Sequence, residues 1–91
     1  MSSVTKLELY RLVGEAAARG ERARERLATL TAREHEVALA VGGGRANAEI
    51  AADLHMSVAT VKAHVSRLLA KLEVENRIQI ALLVQDANDG R

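Results

Sequence analysis

Apolar residues recur at spacings of three and four through most of the chain, the period of helices that each bury one face. Capping residues cut this pattern into segments. The first runs from about Thr5 to Arg19, with Leu7, Tyr10, Val13 and Ala17 in register, and is followed by Gly20 and the charged run Glu21–Arg26. Thr31-Ala32-Arg33-Glu34 has the form of a capping box, in which the Thr31 hydroxyl accepts from the Glu34 amide and the Glu34 carboxylate accepts from the Thr31 amide. A helix should start there and run through Val37 and Leu39 to about Val41, where Gly42-Gly43-Gly44 stops it. Asn47 is expected to cap a short helix, Ala48–Leu54, with Ile50, Ala51 and Leu54 inward. Ser57 opens a longer one, Val58 to about Leu72, and the turn His55-Met56-Ser57 is so short that the two helices must cross steeply. Asn76 is expected to cap a last helix from Arg77 to about Gln85, and the polar tail beyond it should fray.

The last helix has two apolar sides, Ile78, Ala81, Leu82 and Gln85 on one and Ile80, Leu83 and Val84 on the other. One serves the core; the other either packs there too or meets a second copy of the chain. The pattern predicts an all-α fold, a compact four-helix domain containing a helix-turn-helix and preceded by a helical linker. Its divisions are 1–26 as linker or N-terminal extension, 27–86 as the domain and 87–91 as a frayed tail. Within 1–26, Lys6, Arg11, Arg19, Arg22, Arg24 and Arg26 stand against Glu8, Glu15, Glu21 and Glu25, a net +2. That segment reads as a solvated helix held by weak side-chain pairs, or as a linker packed on a missing neighbour.

Composition narrows the classes. The 91 residues suffice for one small domain with a thin core. They include no Cys, no Pro and a single Tyr, so a disulfide framework, a thiolate metal site and a thiol nucleophile are excluded, and strands are disfavoured. No apolar run is long enough to span a membrane or form a signal-peptide core, and a cytoplasmic domain without a membrane partner is expected. His35-Glu36 begins like a zinc-protease helix, but Leu39 stands where the second histidine is required. The three glycines precede Arg45-Ala46 and not a Lys-Ser or Lys-Thr step, so there is no phosphate loop. We expect no enzyme, no cofactor, no metal and no small-molecule ligand in this segment.

The net charge of +1 names no partner, but the placement of charge does. Projected at about 100° per residue, residues 58–72 put Val61, Val65, Leu68 and Leu72 in one stripe, with Val58 and Leu69 at its margin. Ala59, Lys62, Ala63, Ser66, Arg67 and Ala70 fall opposite, and Thr60, His64 and Lys71 line one flank. No carboxylate occurs from Leu54 to Leu72. A small, hydroxylic and basic face suits the major groove of double-stranded DNA. Alanine permits close approach, Lys and Arg donate to guanine acceptors, and Ser donates or accepts at several base edges. Lys62, Ala63, Ser66 and Arg67 are therefore the candidate base contacts, although Arg67 also suits a phosphate. Asn47, Ser57, Thr60, His64, Lys71 and Arg77 are candidate backbone contacts, Asn47 and Ser57 being helix caps first. The competing reading is a helical protein-interaction module that grips another regulator or RNA polymerase through helix 77–85, and a further one is a sigma-factor-like promoter module.

Four stretches also carry a family resemblance. Leu30-Thr31-Ala32-Arg33-Glu34-His35-Glu36-Val37, Asn47-Ala48-Glu49-Ile50-Ala51, Ser57-Val58-Ala59-Thr60-Val61-Lys62-Ala63-His64-Val65 and Lys71-Leu72-Glu73-Val74 resemble the LuxR/NarL-type helix-turn-helix output domain of bacterial response regulators. The resemblance covers about residues 28 to 85. It implies a four-helix DNA-binding domain with the helix-turn-helix at 47–72, base reading by Lys62, Ala63 and Ser66, and backbone approach at Thr60 and His64. It also implies a homodimer through the last helix, at Ile78, Ala81, Leu82 and Gln85. Ala46 stands where the family usually has Ser, and His35 where Arg is usual. A response regulator carries a receiver domain that 26 residues cannot form. An output domain cut from a longer protein with its linker attached is expected, a stand-alone regulator being the alternative.

Overall fold

The computed structural model describes residues 4–89, which form five α-helices and no strand. Helix α1 (Lys6–Leu27) opens at Thr5, whose hydroxyl accepts from the Glu8 amide at 3.1 Å. It runs straight through Gly20, which the sequence left at a boundary. Gly20 is buried together with Ala23 and Leu27, and α1 packs along α5 there, so tertiary contact overrides glycine's poor helix propensity. Leu7, Tyr10, Val13 and Ala17, read as one helical face, are all exposed.

Helix α2 (Ala32–Gly42) begins with the expected reciprocal capping box, the Thr31 amide donating to Glu34 Oε1 at 2.8 Å and the Glu34 amide to Thr31 Oγ1 at 3.2 Å. It ends at the glycines, of which Gly44 has a φ of 77°. Helix α3 (Asn47–Leu54) differs from expectation at its start: Ala46, not Asn47, occupies the N-cap position. Alanine offers no acceptor, and the end is secured by the Glu49 carboxylate accepting from the Ala46 amide at 3.0 Å. His55 closes α3 in a left-handed conformation. Two residues later Ser57 caps α4 (Val58–Lys71), its hydroxyl accepting from the Thr60 amide at 3.1 Å. Helix α5 (Arg77–Asp89) starts as expected, with Asn76 Oδ1 accepting from the Gln79 amide at 3.1 Å. It continues beyond Gln85, because Ala87 is buried in the core cluster that includes Ala23 and Leu27 of α1, and Arg24 donates to the Ala87 carbonyl at 3.0 Å. The expected fraying at 86–89 is thus corrected; residues 90 and 91 lie outside the described residues.

The core gathers Val37, Ala38, Val41, Ile50, Val61, Leu68, Leu72, Ile80 and Val84, and among the described residues it holds no polar or charged side chain. Val61, Leu68 and Leu72 bury the predicted α4 stripe, with Val65 and Leu69 half-buried at its edge. The opposite face of α4 is thereby fixed outward.

Candidate nucleic-acid interface

Three of the fully buried side chains of the core, Val61, Leu68 and Leu72, set the rotation of α4 about its axis. In consequence Ala59, Lys62, Ala63, Ser66, Arg67 and Ala70 are all exposed. The turn that aims α4 is braced from outside: Arg33 donates to the Leu54 carbonyl at the end of α3 and pairs with Glu36 at 2.9 Å. Met56, half-buried against the core, donates its amide to the Ala51 carbonyl at 3.0 Å. The fold therefore presents a helix-turn-helix braced on both sides of its turn.

The basic groups divide into two sets. Among the described residues, Lys62 and Arg67 make no ion pair or hydrogen bond through their side chains, and both charges face solvent. The flanking cations are engaged. Lys71 pairs with Glu34 at 2.9 Å. Arg77, half-buried, donates to Asn47 Oδ1 at 2.8 Å and to the Arg45 carbonyl at 3.0 Å. The structure thus brings Asn47 and Arg77 to each other, tying the start of α5 to the start of α3. The Glu34 carboxyl is held down at about 2 from its usual 4.5, chiefly by the hydrogen bond from the Thr31 amide and then by Lys71.

Thr60 and Ser57 share a hydroxyl–hydroxyl hydrogen bond of 2.9 Å at the exposed start of α4. His64 is half-buried with Nδ1 inside and without a hydrogen-bond partner, so any contact it makes outward must use Nε2. On α5, Ile78 and Leu82 are exposed, at 69% and 55%, with Gln85 exposed and Ala81 half-buried beside them. Sequence reasoning passed over Arg33, whose partner Leu54 is 21 residues away, and Arg45, which pairs with Asp53 across α3. Neither link has a signature at helical spacing. No helix among the described residues is long and apolar enough to cross a membrane, and no group of acidic or histidine side chains among them could hold a metal.

Two packed helices joined by a turn of three residues, the second presenting an outward basic face, define the helix-turn-helix class. Residues 28–84 match the family described as bacterial regulatory proteins, luxR family, and the chain belongs to that family. It is 49% identical over 65 residues to the uncharacterised transcriptional regulatory protein YhcZ of Bacillus subtilis, covering 71% of this chain and 30% of that protein. It is 47% identical over 53 residues to the response regulator protein VraR of Staphylococcus aureus, covering 58% of this chain and 25% of that one. The chain therefore spans less than a third of the length of these relatives.

Proposed function

We propose that this chain is a DNA-binding module of a bacterial transcriptional regulator, with α4 entering the major groove of double-stranded DNA. The observation that carries this reading is the α4 face itself. It is exposed, free of carboxylates over residues 54–72, small enough at Ala59, Ala63 and Ala70 for close approach, and armed with Lys62 and Arg67. Membership of the luxR family and the similarity to a response regulator support it. In this reading Lys62, Ala63, Ser66 and Arg67 meet base edges. Ser57, Thr60 and His64 meet the sugar-phosphate backbone, and Asn47, Lys71 and Arg77 frame it. Arg77 has guanidinium N–H groups left after its two internal bonds, so it can serve a phosphate without releasing α3. Two copies pair through Ile78, Ala81, Leu82 and Gln85 to read two half-sites.

The test is selection of bound duplexes from a random library, followed by titration of the winner and a scramble at several salt concentrations. Enrichment of a repeated half-site is expected. Lys62→Ala should weaken the selected duplex by about 1–3 kcal/mol and leave the scramble nearly unchanged. Equal binding of both duplexes by the parent protein would overturn sequence reading by α4, and an unchanged affinity in Lys62→Ala would remove Lys62 from the site.

A further inference from the structure

We infer that the N-terminal half of α1 is a pairing surface for the same helix of a second copy of this chain. Leu9, Val13, Ala16, Gly20, Ala23 and Leu27 follow one another at alternating spacings of four and three, the repeat of a helix-on-helix seam. The C-terminal part of this seam, Gly20, Ala23 and Leu27, is buried where α1 packs on α5. Helix α5 meets α1 in the C-terminal part of α1, where Arg24 donates to the Ala87 carbonyl and Ala87 packs with Ala23 and Leu27. Towards the N-terminus the same seam continues uncovered by any other described residue, Leu9 being 52% and Val13 61% exposed. Tyr10 and Leu12 flank it and are exposed as well, so the apolar strip widens where it is bare. The seam thus continues an interface that the fold itself already uses.

The occupant must be a helix with the same spacing of knobs and no opposing charge. Helix α1 meets both conditions. Between residues 5 and 18, Lys6 and Arg11 balance Glu8 and Glu15, so two copies bring no net repulsion together. The flanking positions are Tyr10, Leu12 and Ala17, not charged groups that would demand a different partner. A bare stretch of about three turns is also marginal as a helix on its own, and pairing would hold it. A strip of a few side chains over about three turns is smaller than the roughly 800 Å² per partner of a standard interface, so the pairing should be weak in free solution.

The experiment is sedimentation equilibrium of the 91-residue chain without DNA, from micromolar to millimolar concentration, read beside acrylamide quenching of Tyr10. Tyr10 is the only Tyr and there is no Trp, so its emission reports on this surface alone. A monomer–dimer equilibrium is expected, with Tyr10 becoming harder to quench as the dimer forms. The double variant Leu9→Asp, Val13→Asp should weaken association at least tenfold. Leu7→Asp, on the far side of the helix, should change it less than twofold. A chain that stays monomeric to millimolar concentration would overturn the proposal. So would a dimer whose Tyr10 quenching does not change with concentration, or one abolished by Leu82→Asp and untouched by the double variant, since pairing would then run through α5.

Discussion

Gly42 ends α2 directly against Val84, and a Cβ added there would stand 2.8 Å from Val84 Cγ1, 2.9 Å from its Cβ and 3.1 Å from Cγ2. The neighbour cannot easily yield. Val84 is buried, and a β-branched side chain in a helix has one strongly preferred rotamer. Overpacking of this kind costs about 1–3 kcal/mol, while alanine in place of glycine returns roughly 0.5–1 kcal/mol of helix propensity. Gly42→Ala should therefore destabilise the chain by about 1–2 kcal/mol, a fall in melting temperature of roughly 5–15 °C for a domain of this size. Thermal unfolding followed by circular dichroism measures it. Val84→Ala removes both γ-methyls and keeps Cβ, so the double variant should recover part of the loss, about 0.5–1 kcal/mol less destabilised than the two single changes added together. A Gly42→Ala protein as stable as the parent, or strict additivity with Val84→Ala, would refute the argument that close approach and not chain geometry requires glycine there.

Other expectations follow from the same contacts. Because the Glu34 carboxyl is held at about 2, its contribution to stability is complete above about 4.5 and is lost as pH falls between those values. Glu34→Gln, which keeps the bond to the Thr31 amide but takes up no proton, should flatten melting temperature against pH in that window; an unchanged profile would discount this residue. Ala46→Ser puts an acceptor at the N-cap of α3, where none exists, and should raise stability by about 1 kcal/mol in urea unfolding, whereas no gain would mean that Glu49 already satisfies that end. Leu82→Asp should weaken binding to a two-half-site duplex far more than to a single half-site. Equal effects on both would count against pairing through α5.

The sequence was most legible where structure is made locally. The Thr31–Glu34 box, the Ser57 cap and the Asn76 cap each depend on groups three residues apart, and each forms as expected. The α4 stripe was legible for a related reason: a helix with one strongly apolar side can turn only one way, and Lys62 and Arg67 emerge on the other. Failures occurred where a distant element decides. Gly20 has the composition of a helix end, yet it lies inside a 22-residue helix because α5 packs against α1. Asn47 has the chemistry of a cap but instead accepts from Arg77, 30 residues away, and Ala46 takes the cap position with a carboxylate from Glu49 as substitute. The tail 86–89 is polar in composition except for Ala87, which packs in the core and whose carbonyl accepts from Arg24 of α1.

The division of the basic groups bears on how DNA would be held. Arg33, Arg45, Lys71 and Arg77 are each tied to an acceptor that braces the helix-turn-helix, Leu54 and Glu36, Asp53, Glu34, and Asn47 with Arg45 in turn. Pairing them internally lowers the positive field around the domain and braces α4, and it leaves Lys62 and Arg67, among the described residues, as the exposed and unpaired charges on the face that would read bases. Counterion release then separates two modes of binding. If Lys71 and Arg77 stay on their internal acceptors they add nothing to the salt dependence; if both engaged phosphates, a dimer would neutralise about four more and the slope of log affinity against log salt would steepen by about 4. The steeper value requires Lys71 to share or leave Glu34, so removing that carboxylate should ease its engagement and steepen the slope, while the shallow value requires the brace to survive contact with DNA. A brace that survives keeps non-specific affinity low, and a regulator that must ignore most of a genome gains more from that than from additional phosphate contacts.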